Sequence, residues 1–154
     1  MRVVIQRVAR ARVVVDGREV SSIGRGILAL VGIHRTDAPR LAERLAERTV
    51  GARIFDDEEG RMNLALTDIG GEVLAVSQFT LYGDLRRGRR PSFTDAAPPE
   101  LARPLYEAYC EAIERRGVRC GRGVFGAAMQ VELVNDGPVT LILDSEELAR
   151  PRRS

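Results

Sequence analysis

The chain has no lysine and no tryptophan, and only one histidine and two cysteines among its 154 residues. Without lysine it can build neither a Walker-type phosphate loop nor a Schiff base. One histidine rules out an HExxH zinc site and any site assembled from several imidazoles. Cys110 and Cys120 stand outside the CxxC spacing of zinc ribbons and redox pairs and read as two packed or partly exposed thiols. Four phenylalanines and three tyrosines are too few for the exposed stacking surface of a dedicated RNA-binding module. No apolar run approaches the roughly 20 residues of a membrane helix. The opening Met1-Arg2-Val3-Val4-Ile5-Gln6-Arg7 turns polar too soon for a signal peptide. A soluble, cytoplasmic protein with no membrane partner is expected.

What is present describes one ordinary globular unit. Hydrophobic residues make up 44% and charged residues 30%, with a net charge of +2, which argues against disorder. The length suits a single domain spanning 1–154, burying roughly 68–70% of the unfolded surface. All 24 basic residues are arginine, and a guanidinium suits bidentate contact with phosphate.

The pattern predicts a mixed α/β domain in the order strands, strand–helix, strand–helix, strands, with layered sheets carrying helices on one face. Val3-Val4-Ile5 and Val13-Val14-Val15 are short β-branched runs, and Asp16-Gly17 turns the chain into a partner strand from Val20 to Ile23. Ile27 to Ile33 is continuously apolar, as in a strand buried on both faces. A helix follows, capped by Asp37, with Pro39 in its first turn and Leu41, Leu45 and Val50 on its inner side. Arg53-Ile54-Phe55 reads as a strand ending at an acidic turn, Asp56 to Gly60, which lacks the ligand spacing of a calcium loop. A second buried strand runs from Val73 through Leu81. A second helix presents Leu101, Leu105, Tyr109 and Ile113, with Pro104 as a kink or a later start. Two strands close the chain, Met129 to Val134 and Val139 to Leu143, and 144–154 reads as a loose, Arg-rich tail.

Three blocks carry candidate chemistry. Ser77-Gln78-Phe79-Thr80 places polar groups in an otherwise apolar strand, where a buried hydroxyl or amide is costly without a partner. The carboxyl end of such a strand is where α/β sheets hold ligands. Asn135-Asp136-Gly137-Pro138 is either a plain hairpin turn or, with a cis Gly-Pro bond, a rigid wedge carrying two carbonyl groups on one side. Arg86-Arg87-Gly88-Arg89-Arg90 is a local basic patch that attracts phosphate. His34 ends a buried strand with no nucleophile to pair with and reads as incidental.

Together these segments resemble the D-aminoacyl-tRNA deacylase family. The match includes Arg2 to Val8, Ser22 to Gly26, Arg53-Ile54-Phe55 with Gly60 to Leu64, and Ser77 to Asp84. It continues through Gly88 to Phe93, Phe125-Gly126, Met129-Gln130-Val131 and Asn135 to Thr140. The Ser-Gln-x-Thr block followed at this distance by Asn-x-Gly-Pro is the specific part. Arginine replaces the lysine common in the family's basic loop, and Gly83 stands where alanine is common.

The resemblance implies a homodimeric editing enzyme that needs no metal or cofactor. It would hydrolyse the ester between a D-amino acid and the 3′-terminal adenosine of tRNA, and would also clear glycine. It implies catalytic roles for Ser77, Gln78 and Thr80, and substrate contacts from Phe79 and Met129. Gly137-Pro138 would be a Gly-cisPro wedge reaching into the partner subunit's pocket, steadied by Arg7. Arg86, Arg87, Arg89 and Arg90 would meet RNA at the acceptor end. An aminoacyl ester is already activated, so positioning water and stabilising an oxyanion suffice, with help from the tRNA 2′-hydroxyl. Thr80 has no base to activate it and is expected to act by hydrogen bonding. The competing readings are a non-catalytic RNA-binding module, a Thr80-dependent hydrolase of small esters, and a related tRNA deacylase with a trans Gly-Pro bond and altered chirality preference.

Overall fold

β1 (Arg2–Val15) is the strand on which the sheet is built, and both its edges are fully used. Along one edge lies β8 (Gln130–Asp144), antiparallel, with pairs from Val3↔Leu143 to Val14↔Gln130. The other edge is divided. Its first half pairs with β3 (Gly26–Gly32) and its second half with β2 (Arg18–Ile23), the latter entered through a tight turn with Asp16 and Gly17 both at positive φ. β3 runs parallel to β6 (Glu72–Ser77), and β6 parallel to the short β7 (Cys120–Arg122). The structure is a computed structural model that describes residues 1–152.

The crossovers between parallel strands are helical: α1 (Pro39–Gly51) lies between β3 and β6, and α3 (Pro99–Arg115) between β6 and β7. A two-stranded ribbon, β4 (Phe55–Asp56) with β5 (Met62–Leu64), and a one-turn helix, α2 (Leu66–Ile69), complete the first crossover. Period-two alternation sorts the core into two layers. Val3, Ile5, Ile27, Ala29, Val73 and Ala75 face the helices and pack with Leu45, Leu105, Tyr109 and Ile113. Val8, Val13, Leu28, Leu74 and Val76 face the other way and pack with Ile23, Met129 and Val131. Both faces of β3 and β6 are therefore dry, which is why their sequences are continuously apolar. The expected layered sheets are one six-stranded sheet that curls into a barrel-like shape, with α1 and α3 on its outer face. No helix among the described residues is long and apolar enough to cross a membrane.

Several local expectations are corrected. Asp37 does not cap α1, where Ala38 takes the N-cap position. Its carboxylate instead accepts from the Met1 ammonium at 2.8 Å and from the His34 N–H at 2.7 Å. The strand expected at Arg53-Ile54-Phe55 is reduced to Phe55–Asp56. The strand expected through Leu81 ends at Ser77. Its last ladder bond is Gln78 N–H to Val31 C=O, and Phe79–Tyr82 winds into a 3-10 turn. α3 starts at Pro99 and carries Pro104 within it. The two closing strands are one, since residues on both sides of Asn135–Pro138 pair with β1 and the segment between them is a bulge. The segment read as a loose tail from 144 begins with α4 (Ser145–Ala149), whose N-cap Asp144 accepts from Glu146 N–H and whose Ser145 is buried. Residues 153–154 of that tail lie outside the described residues.

The parallel pairing of β3 with β6 rests on a missing side chain. A Cβ on Gly26 would sit 1.8 Å from the Glu72 carbonyl oxygen, so the strands meet there only as bare backbone. Gly26→Ala is expected to cost about 3 kcal/mol, the upper range for overpacking. Urea denaturation checks this, the expected result being a lower midpoint with an unchanged slope.

Candidate active site

The parallel strands β3 and β6 end side by side, and the chain leaves both at the same end of the sheet. There Val31, Ile33 and Val76 form the floor of a cavity of about 550 Å³. Phe79, Phe93 and Phe125 form walls, and Met129 with Val131 from the barrel layer form the far side. Ser77 and Gln78 stand at the rim, placed by the switch from extended strand to 3-10 turn. The loop bearing Phe93 is fixed over β3 by bonds from Ala97 N–H to Ile33 C=O at 2.9 Å and from Arg35 N–H to Asp95 C=O at 3.0 Å.

No lining residue is ionisable. Ser77 and Gln78 supply a hydroxyl and an amide, and the rest of the surface is apolar or backbone. A 3-10 turn leaves its first N–H groups without partners inside it. Those of Phe79 and Thr80 donate to no backbone carbonyl among the described residues. Such a site can orient a neutral ligand and stabilise developing negative charge, but it contains no side chain able to take a proton at neutral pH.

The sequence candidates fall into three groups. Ser77, Gln78, Phe79 and Met129 line the cavity together. Thr80 does not line it: it is exposed, and its hydroxyl accepts a hydrogen bond from the Gln78 amide, so it orients Gln78. Arg7, Gly137 and Pro138 also lie outside this chain's own cavity. The Gly137–Pro138 bond is cis, and both residues are exposed at the crest of the β8 bulge.

Arg7 lies underneath the bulge, only 7% exposed. Its Nε donates to the Asp136 carbonyl at 2.7 Å, and one terminal nitrogen donates to the Ile54 carbonyl at 2.8 Å and to Asp56 at 3.2 Å. Asn135 pins the other side, accepting from Val139 N–H at 2.7 Å and donating to Thr140. A Cβ on Gly137, whose φ is 146°, would meet the Val139 backbone nitrogen at 2.8 Å.

Sequence reasoning did not assign Phe93 and Phe125 to the cavity, although both fall in the matching blocks. Phe93 meets Phe79 edge to face with ring centroids 5.0 Å apart, leaving Phe79 55% exposed at the mouth. The rings lie far apart in sequence and in irregular segments, where periodicity gives no signal. Gly83 accommodates the pair, since a Cβ there would stand 3.1 Å from the Phe93 ring.

The arginine loop begins just past the Phe79–Tyr82 turn. Arg86 folds back onto Asp84, which accepts from its backbone N–H and from its guanidinium. Those bonds hold the Asp84 carboxyl down at about 2. Arg87, Arg89 and Arg90 are exposed.

A larger hollow of about 720 Å³ is lined by Arg2, His34, Asp37, Tyr82 and Asp144 among others. It contains none of the strand-end polar residues. His34 is occupied locally, its Nδ1 accepting from Thr36 N–H at 3.1 Å while its ring meets Tyr82 edge to face. Burial pushes the Tyr82 phenol above its ordinary range. Cys110 and Cys120 are free thiols, and neither lines the cavity.

A curled mixed sheet with two helices outside is a fold found among solved structures. The chain superposes on the c-Myc DNA unwinding element binding protein with a TM-score of 0.87 and 41% identity, covering 94% of this chain and 99% of that one. It also superposes on a probable eukaryotic D-amino acid tRNA deacylase with a TM-score of 0.79, over 92% of this chain and 97% of that one. At 20% identity that likeness shows the fold alone. The profile of the D-Tyr-tRNA(Tyr) deacylase family matches residues 4–144. The D-aminoacyl-tRNA deacylases of Roseiflexus castenholzii and Koribacter versatilis are 59% and 58% identical to it, over 99% and 96% of this chain and 97% and 99% of their own lengths. The chain belongs to the D-Tyr-tRNA(Tyr) deacylase family and is a hydrolase.

Replacing Arg7 by leucine leaves the Ile54 and Asp136 carbonyls and the Asp56 carboxylate without their shared donor. The expected loss is about 3 kcal/mol, the low end for breaking a buried charged contact. Amide hydrogen exchange should speed up across 135–139, and unchanged protection there would show that Arg7 does not hold the bulge.

Proposed function

We propose that the chain hydrolyses the ester joining a D-amino acid to the 3′-terminal ribose of tRNA, releasing free amino acid and tRNA, and that it also clears glycyl-tRNA. The observation that carries this reading is a cavity at the β3–β6 strand ends with a hydroxyl and an amide at its rim and no ionisable side chain, in a chain of the deacylase family. Hydrolysis of a less activated amide or ester would need a side-chain base, alone or to activate a nucleophile such as Ser77, and this cavity offers none. An aminoacyl ester has a good leaving group and a neighbouring 2′-hydroxyl. The protein's share is then to hold the ester against the rim, with Ser77 and Gln78 as positioning groups. Backbone N–H groups receive the developing oxyanion. Thr80 serves by orienting Gln78.

The enzyme acts in the cytoplasm as a homodimer. In this reading Gly137 and Pro138 of each subunit enter the other subunit's cavity. The reading is supported by their exposure, by their absence from their own cavity's lining, and by the seat that Arg7 and Asn135 give the bulge. β8 also exposes Val134, Leu141 and Ile142, the apolar surface that a partner would cover. At the α-carbon, L and D substrates exchange the hydrogen and the side chain. A rigid carbonyl wedge in the L side-chain direction therefore excludes L esters, while glycine presents nothing to clash. Arg87, Arg89 and Arg90 supply positive charge for the acceptor end.

The test is deacylation of matched D-Tyr-tRNA and L-Tyr-tRNA, with and without chelator. Loss of the D ester alone, insensitive to chelator, is expected. Loss of both at comparable rates would keep the hydrolase and remove the chiral filter. Loss of neither would leave an RNA-binding module. Thr80→Ala should retain kcat within about tenfold, below the usual loss for a general acid or base, and a loss of several thousandfold would restore Thr80 as nucleophile.

A further inference from the structure

We propose that the loop from Asp84 to Thr94 contains a phosphodiester subsite made by Arg87, Arg90 and the hydroxyls of Ser92 and Thr94, with Arg86 as a positioning residue that shapes it without contacting the anion. The proposal deepens the tRNA reading above and rests on it for the identity of the strand that is bound.

The loop is a closed unit. Asp84 and Ser92 exchange backbone hydrogen bonds, N–H to C=O in both directions, each at 2.8 Å. Within it, Arg86 directs its guanidinium back to Asp84, with Nε at 2.9 Å and a terminal nitrogen at 2.8 Å from the two carboxylate oxygens. The backbone N–H of Arg86 donates to the same carboxylate at 2.9 Å. A charge held in that way is cancelled by its partner and adds little to the field felt by an approaching anion. Arg87 and Arg90 have no acidic partner within salt-bridge distance among the described residues.

Arg86, Arg87 and Arg90, with Asp84, Asp95, Ser92 and Thr94, line a cleft of about 360 Å³. The two acids within it already have counter-charges: Asp84 has Arg86, and Asp95 faces Arg35 at 3.8 Å. Ser92 and Thr94 hydroxyls lie 2.9 Å apart, and only one proton is used between them. The second O–H remains free to donate, so the cleft offers two guanidiniums and a hydroxyl donor, a set suited to phosphate oxygens.

The position of this cleft favours a phosphodiester over free phosphate. Ser92 and Thr94 flank Phe93, and Phe93 lines the uncharged cavity while its two neighbours line the cleft. Cavity and cleft are thus the two sides of one three-residue segment. A nucleic-acid strand whose terminal ester occupies the cavity has its backbone phosphates within reach of the other side.

The experiment measures binding of deacylated tRNA by the full-length protein across a salt series. Each phosphate contact contributes about 0.7–0.9 to the slope of log K against log salt. Arg87→Ala and Arg90→Ala should each flatten the slope by about that amount. Ser92→Ala combined with Thr94→Val should weaken binding several-fold at an unchanged slope, because neutral donors displace no counterions. Arg86→Ala combined with Asp84→Asn, which removes the pair without leaving a bare carboxylate, should leave the slope unchanged. Asp84→Asn should steepen it by about one contact, because it frees Arg86 while preserving the side chain's shape.

If the Arg86→Ala, Asp84→Asn pair flattens the slope as much as Arg90→Ala, or Asp84→Asn alone leaves it unchanged, the assignment of Arg86 is overturned. If inorganic phosphate binds the cleft while Arg87→Ala and Arg90→Ala leave tRNA binding intact, the site is for free phosphate and the phosphodiester proposal fails. The two readings fail separately. Salt-dependent tRNA binding through Arg87 and Arg90 with no cleavage of D-Tyr-tRNA would overturn the deacylase reading alone. Cleavage that is indifferent to all of these substitutions would overturn the subsite alone.

Discussion

Everything about the candidate site depends on how β1 shares its two edges. A 14-residue strand has enough backbone donors and acceptors to pair along its whole length on both sides. Here β8 takes one edge entirely, while β3 and β2 divide the other. That division places β3 beside β6, so that two parallel strands finish at one end and open the cavity there. It also puts the β8 bulge opposite Gln6 and Val8, directly over the Arg7 side chain. The cavity and the exposed Gly137–Pro138 crest are therefore positioned by the same strand, although neither lines the other within one chain.

The second constraint is electrostatic. The chain is almost a third charged residues, yet the cavity at its strand ends has none on its walls. The arginines collect one loop away, on the far side of Ser92–Phe93–Thr94. An apolar cavity strengthens the few polar interactions made inside it, while a solvated arginine cleft gives long-range attraction that salt can tune. The two features thus stay separate on one chain, an apolar cavity on one side of that segment and a patch of positive charge on the other. A sequence with a single histidine suits that division, because neither place calls for a group that titrates near neutrality.

Part of this is legible in the sequence. The apolar run from Ile27 to Ile33 announced a strand buried on both faces, because only such a strand lacks polar alternation. The polar residues Ser77, Gln78 and Thr80 are conspicuous for the same reason, and the first two stand at the cavity with Phe79. What misled was the end of that strand. Gln78, Phe79 and Thr80 have nothing in their local preferences to stop an extended chain. The 3-10 turn arises because the ladder with β3 runs out after Val31, a tertiary event. Phe93 and Phe125 escaped notice because irregular loops carry no period. The segment from Ser145 to Ala149 looked like a tail because a five-residue helix is too short to show one, and it is fixed by its contact with Met1.

The sequence by itself determined the inventory and therefore the limits of the chemistry: no lysine, one histidine, two cysteines outside a CxxC spacing, one four-arginine cluster, and blocks specific enough to mark a family. It also determined which strands are buried on both faces, since burial of apolar surface dominates folding and leaves a direct trace in residue type. Only the tertiary structure decided that Asn135–Pro138 is a bulge within one strand and not a turn between two, because that depends on which neighbour β8 pairs with. It alone removed Thr80 from the cavity wall, placed Arg7 beneath the bulge and turned Arg86 back onto Asp84. Each of these is a contact selected by geometry among several partners of suitable chemistry, and residue type alone does not say which partner is within reach.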